Sequence, residues 1–169
     1  MRLTIYAPVM LAASVSSVAI AAPAVNLTSP GIEYNGGQYT LGFEFSVSGN
    51  YSIDSLGVYD NLGDGLTTGA NIGLWDMNGN LLASTNIAAG GGTLDGLFRY
   101  NAITPYALTS GTHYIVGAFT QDLATSLNTN QGGVGTVNPL VTIYRDRFSP
   151  FDSAFGFPSD TNNHVGAWL

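Results

Sequence analysis

The residues best suited to chemistry lie in the run Asp60-Asn61-Leu62-Gly63-Asp64-Gly65-Leu66. Carboxylate and amide oxygens on a Gly-rich turn are hard ligands of the kind calcium takes. Asp60, Asn61 and Asp64 can converge there, with the Leu62 carbonyl as a further oxygen. Asp76, between Trp75 and Asn78-Gly79, is a candidate additional carboxylate. The spacing is not that of an EF-hand, so a bound calcium would stiffen the loop rather than catalyse. The competing reading is a metal-free Asx-rich turn, with Asp76 bonding its own backbone at the next turn.

Acid–base and nucleophilic chemistry finds less support. The two histidines, His113 and His164, are far apart and have no partner at zinc-binding spacing. There is no G-x-S-x-G elbow to present a serine. Glu33 and Glu44 are the only glutamates. Glu44 alternates with Phe43 and Phe45, so it is expected to face solvent from a strand, and His113 is expected to be solvent-facing or satisfied. No catalytic residue is assigned. Arg99, between Phe98 and Tyr100, is expected to pair with a carboxylate or stack on a ring. Arg145-Asp146-Arg147 is expected to close the last strand in the same way. Trp75 reads as core. Tyr34, Tyr59, Tyr106 and Trp168 fall outside the strict core phase and are candidates for stacking on sugar rings. Packing at sheet edges is the alternative.

The composition fits a binding or structural protein. The chain has 169 residues, of which 45% are hydrophobic and 9% charged, against a usual charged share of about 25%. Lys is absent, so the polar surface is built from Ser, Thr, Asn, Gln and Gly. The formal charge of −7 argues against nucleic acid, since phosphate binding needs clustered Lys or Arg. It argues equally against an anionic membrane surface. Calcium, a neutral polysaccharide and envelope components remain compatible partners. Cys is absent, which excludes disulfides and thiolate chemistry.

The first residues read as a secretion signal. Arg2 supplies a minimal positive region, an apolar stretch runs to Ile20, and Ala19-Ile20-Ala21 fits the cleavage rule. The expected organisation is a signal peptide over 1–21, a lead-in over 22–36 and one β-sandwich domain over 37–169. No later stretch reaches the length of an apolar span, so the mature chain is expected to have none.

Hydrophobic periodicity predicts strands. In Q-Y-T-L-G-F-E-F-S-V (38–47), five apolar residues alternate from Tyr39 to Val47. Residues 51–59 predict a second strand, with a phase slip that implies a bulge near Asp54-Ser55. Residues 71–77 and 80–87 predict a hairpin on Asn78-Gly79, with positive φ at both turn residues. A fifth strand over 94–103 is predicted to stop at Pro105, and a sixth runs over 113–120. Residues 121–135 read as a long loop, and 137–144 as a seventh strand kinked at Pro139. Short strands at regular spacing without helical periodicity predict an all-β, antiparallel β-sandwich of jelly-roll-like form.

The ordered pieces L-G-F-E-F-S-V (41–47), L-G-V-Y-D (56–60), G-D-G-L (63–66), I-G-L-W-D (72–76), G-N-L-L-A-S (79–84) and F-R-Y (98–100) carry a resemblance. So do L-T-S-G-T-H-Y-I-V-G-A (108–118), R-F-S (147–149) and F-G-F-P (155–158). Together they resemble a group of bacterial exported domains of unknown function, common in proteins with a PEP-CTERM sorting tail. The resemblance implies a secreted or surface-anchored component associated with exopolysaccharide, and brings no catalytic residues. Its members usually continue into a Pro-Glu-Pro motif, an apolar span and basic residues. Without that tail in the sequence, the expectation is either a shortened chain or free secretion.

Overall fold

The computed structural model describes residues 22–35, 37–127, 132–151 and 154–169. The expected signal peptide and its cleavage site lie outside them. Strands β1 (Val25–Ser29) and β2 (Glu33–Asn35) precede β3 (Thr40–Val47) and β4 (Tyr51–Tyr59). A short 3₁₀ turn, Asn61–Gly63, leads to β5 (Ala70–Asp76) and β6 (Leu81–Ile87). There follow β7 (Thr93–Asp95), β8 (Phe98–Leu108), β9 (Tyr114–Thr120), β10 (Leu123–Leu127) and β11 (Val134–Val137). The order closes with β12 (Val141–Phe148) and β13 (Ala167–Trp168).

The predicted class is observed: the chain is an all-β, antiparallel β-sandwich. The main sheet has the order β12-β3-β9-β5-β6. Three smaller sheets, β4-β8-β7, β13-β10-β2 and β1-β11, complete the structure. Phe43, Phe45, Val47, Leu74 and Tyr114 from the main sheet meet Tyr59, Phe98, Leu108, Val25, Leu27 and Ala167 in one apolar cluster. Ile72, Ala70 and Ile87 meet Leu56 and Val58 in a second. Alternation produces these inner faces, because successive side chains point to opposite sides of a strand. Among the described residues no helix is long and apolar enough to cross a membrane.

Several expectations are revised. The bulge near Asp54-Ser55 is present, as a register shift between Ile53 and Ser55. Its partner strand does not stop at Pro105: β8 runs on to Leu108. Ser55 pairs with Ala102 and Ile53 with Tyr106, so Pro105 lies in the unpaired stretch of the bulge, where no ladder N–H is needed. In the β5–β6 hairpin only Gly79 has a positive φ, at 85°. The Gly79 N–H donates to the Asp76 carbonyl and the Asp76 N–H to the Asn80 carbonyl. That is a three-residue loop closed by a left-handed glycine, not a two-residue turn.

The expected loop over 121–135 contains β10, which is buried at its centre and pairs with β2 and β13. Residues 22–36, expected to be a lead-in, supply β1 and β2, and Val25 and Leu27 enter the core. Both segments are short, and β10 (L-A-T-S-L) lacks apolar alternation, so their strand character depends on partners distant in sequence.

The outer face of the main sheet is also covered. Gly42, Gly117 and Gly73 stand side by side on β3, β9 and β5. A Cβ at Gly117 would meet Pro158 at 3.3 Å, and one at Gly73 would meet the Trp75 ring at 2.5 Å. Pro158 is fully buried, and Trp75 packs against Phe155 and Phe157 at 5.4 and 6.3 Å between centroids. The segment after β12 thus straps across a glycine trough. The Gly156 N–H donates to Thr40 Oγ1 and the Ser149 N–H to the Thr40 carbonyl. These contacts anchor the strap, and β3 is buried on both faces.

Candidate functional site

Glu44 stands on the outer face of the main sheet, beneath Arg147, Arg145 and His113. Expected in solvent, its side chain is only 3% exposed. The Arg147 guanidinium donates to Glu44 Oε2 through Nη2 and through Nε, the latter at 3.2 Å. Arg145 Nε stands 3.5 Å from the same oxygen, and His113 Nδ1 is 2.7 Å from Oε1. A register shift between Ile143 and Arg145 leaves Tyr144 as the extra residue of β12. A bulge re-aims a side chain, and here Tyr144 stacks on His113 at 4.2 Å while its hydroxyl meets Ser46 Oγ at 3.0 Å. Consecutive Tyr144 and Arg145 therefore both serve the Glu44 cluster. Burial alone pushes the Glu44 carboxyl up. Hydrogen bonds with His113 and Arg147, with the charges of Arg147 and Arg145, outweigh it and hold the carboxyl below its ordinary value. A carboxylate so stabilised is a weak base.

Asp146, also on β12, is 3% exposed. It accepts bonds from Thr161 Oγ1, from the Asn162 backbone and side chain, and from the His164 N–H. It fixes the path of the chain toward β13. His164 Nδ1 is 3.7 Å away from it.

The loop expected to gather calcium is organised by a cation already in the chain. Asp60, 2% exposed, pairs through Oδ2 with Arg99 Nε at 2.5 Å and accepts the Gly65 N–H at 3.1 Å. Arg99 Nη2 donates to the Gly63 carbonyl at 3.1 Å. A guanidinium on that oxygen opposes a second cation. Asn61 Oδ1 accepts from the Tyr59 hydroxyl at 3.3 Å. Asp76 is the last residue of β5, and six residue steps along a strand are about 20 Å. It does not join Asp60, Asn61 and Asp64. It accepts the Asn80 side chain and the backbone N–H groups of Asn80 and Asn78, which hold its carboxyl below the usual value. Among the described residues no three of His, Cys, Asp and Glu gather as a metal set.

The four candidate aromatic residues do not assemble into one platform. Tyr59 is 1% exposed and donates its hydroxyl to Glu33 at 2.6 Å. Tyr34 on β2 and Trp168 on β13, the two strands that flank β10, pack edge to face at 4.7 Å, so each covers the other. Tyr106 packs against the first core cluster. Trp75 is core, as expected, although it belongs to the outer face.

Sequence reading missed the Glu44 assembly because its members come from β3, β12 and the turn before β9. One signal was present: glycines at Gly42, Gly73 and Gly117, each at an interior strand position, mark close approach of other chain. Of the chain segments to position there, 155–158 is the one rich in Phe and Pro.

A family model described as a domain of unknown function, DUF4082, matches residues 27–169. No curated protein matches the chain.

Proposed function

We propose that this chain, which belongs to the DUF4082 family, is a non-enzymatic β-sandwich module of an exported bacterial protein. Its place is the cell surface or extracellular matrix, in association with exopolysaccharide, as in PEP-CTERM-sorted proteins. The observation that carries this reading is the use made of the reactive groups. The three arginines of the described chain, Arg99, Arg145 and Arg147, all neutralise the buried carboxylates of Asp60 and Glu44. His113 and His164 sit beside Glu44 and Asp146. Groups that could attack a substrate or move a proton instead cross-link strands, loop and strap.

Export is supported by the leader-like features of residues 1–21, and the matrix setting by the resemblance of the strand motifs. The uncharged polar surface fits a hydrated polysaccharide environment and disfavours polyanions. Fractionation of producing cells tests the reading. The protein is expected in the envelope or exopolysaccharide fraction, lacking its first residues. Retention of the full chain in the cytoplasm, or turnover of a polysaccharide by the purified protein, overturns it.

A further inference from the structure

We propose that the small sheet β4-β8-β7 carries a groove for a linear oligosaccharide without acidic groups, seated across Tyr100. This deepens the reading above, since it rests on association with polysaccharide and names the site and the sugar class.

Two depressions share Tyr100 in their walls. The first, shallow and about 420 Å³ in volume, is bordered by Asp54, Ser55, Thr93 and Ala102 together with Tyr100. The second, about 260 Å³, is bordered by Asn26, Asp95 and Phe98, again with Tyr100. The larger falls in the range of about 300–1,000 Å³ usual for ligand sites. One residue walls both, so the two read as adjacent subsites on one track.

The sheet register explains the shape. Gly57 pairs with Tyr100, Ser55 with Ala102, and Thr93 with Tyr100. Gly57 thus stands opposite the ring, and the small pair Ser55 and Ala102 lies two residues further along the same strands. A Cβ on Gly57 would stand 2.5 Å from the ring carbons of Tyr100, so the ring lies directly against that backbone. It also packs against Phe98 at 6.2 Å. A ring fixed in this way offers apolar surface at little entropic cost, which is what a sugar face needs.

The polar groups fit hydroxyl recognition. Each depression holds one carboxylate, Asp54 or Asp95, and carboxylates accept bonds from sugar hydroxyls. Ser55 Oγ donates to Asp54 Oδ1 at 3.1 Å, which orients that carboxylate. Thr93 and Asn26 add a hydroxyl and an amide. Burial, reinforced by the charge of Asp95, pushes the Tyr100 phenol up to about 12, so it remains a neutral donor. No arginine borders either depression, and two carboxylates repel an acidic sugar.

Calorimetric titration of the purified protein tests the groove with three probes: cellohexaose, a glucosamine hexamer and a mannuronate hexamer. Binding of cellohexaose or the glucosamine hexamer is expected, with mannuronate weaker by at least about tenfold. Tyr100→Ala should weaken binding by about tenfold or more, as truncation of a central aromatic anchor does. Because that variant can also loosen the core, Ala102→Arg is measured beside it. Position 102 is exposed, so the arginine fills the first depression without entering the core and should block the sugar equally. The proposal is overturned if neither non-acidic hexamer binds, if mannuronate binds as tightly, or if Ala102→Arg binds unchanged. Chromatography of the incubated sugars separates the two readings: shortened hexamers remove the non-enzymatic reading, and intact but unbound ones remove only the groove.

Discussion

Glu44 shows how one buried carboxylate organises a strand edge. Breaking a buried ion pair from one side leaves the partner charge unpaired, a loss of about 3–5 kcal/mol. Here two arginines keep some solvent access, so Glu44→Gln is expected to destabilise by about 2–3 kcal/mol in urea denaturation. A loss below about 0.5 kcal/mol would mean that the cluster is decorative. The pH dependence has a definite sign. The folded pKa of Glu44 lies below its ordinary 4.5. Its stabilisation is therefore complete above that value and is lost as pH falls through the folded one. Tyr59 and Tyr100 are both raised from 10.0, burial being the main cause. Above about pH 10 the unfolded chain releases protons that the folded chain keeps, and stability falls again. Melting temperature against pH should therefore show an acid limb and an alkaline limb. Glu44→Gln should make only the acid one shallower, since Asp76 and Asp122 are also held below their ordinary values, and an unchanged acid limb in that variant would count against the assignment.

At the scale of elements, the glycine row and the strap form one device. Gly117 and Gly73 hollow the outer face, where Pro158 and the Trp75 ring fill it, and Gly42 lies close against the β9 backbone. A methyl at Gly117 would meet Thr40 Cγ2 at 3.1 Å, the Leu41 carbonyl at 3.2 Å and Pro158 at 3.3 Å. Gly117→Ala is thus expected to cost about 1–3 kcal/mol through overpacking. Trp75 fluorescence should shift to the red as the strap lifts, and an unshifted spectrum at unchanged stability would contradict the packing. The bulge in the β4–β8 pair is another such device. It was legible in the slipped phase of residues 51–59, but its partner side was not. Pro105 reads as a strand end until the unpaired stretch opposite Asp54 shows that no hydrogen bond is missing there.

At the scale of the molecule, the first and last segments close the sandwich rather than trail from it. Val25 and Leu27 from β1 and Ala167 from β13 share a cluster with Phe43, Phe45 and Phe98. A chain cut to begin at residue 37 should therefore lose its cooperative thermal transition, while one beginning at residue 22 should keep it. Circular dichroism melts of the two would show the difference, and equal transitions would restore residues 22–36 to a mere lead-in.

Period-two alternation, frequent glycine and the lack of helical periodicity determined the class by themselves, because one buried face per strand is a local property of sequence. The same alternation fixed the inner faces of β3 and β5. Which outer faces are covered was not local. Glu44 looked like a solvent-facing residue because sequence records only its neighbours on β3. Folding brings Arg147, Arg145 and His113 over it. Likewise, sequence shows Asp60 only within its own loop, and the β4–β8 register sets Arg99 against it. Pairing across strands far apart in sequence decided the partners of these charges.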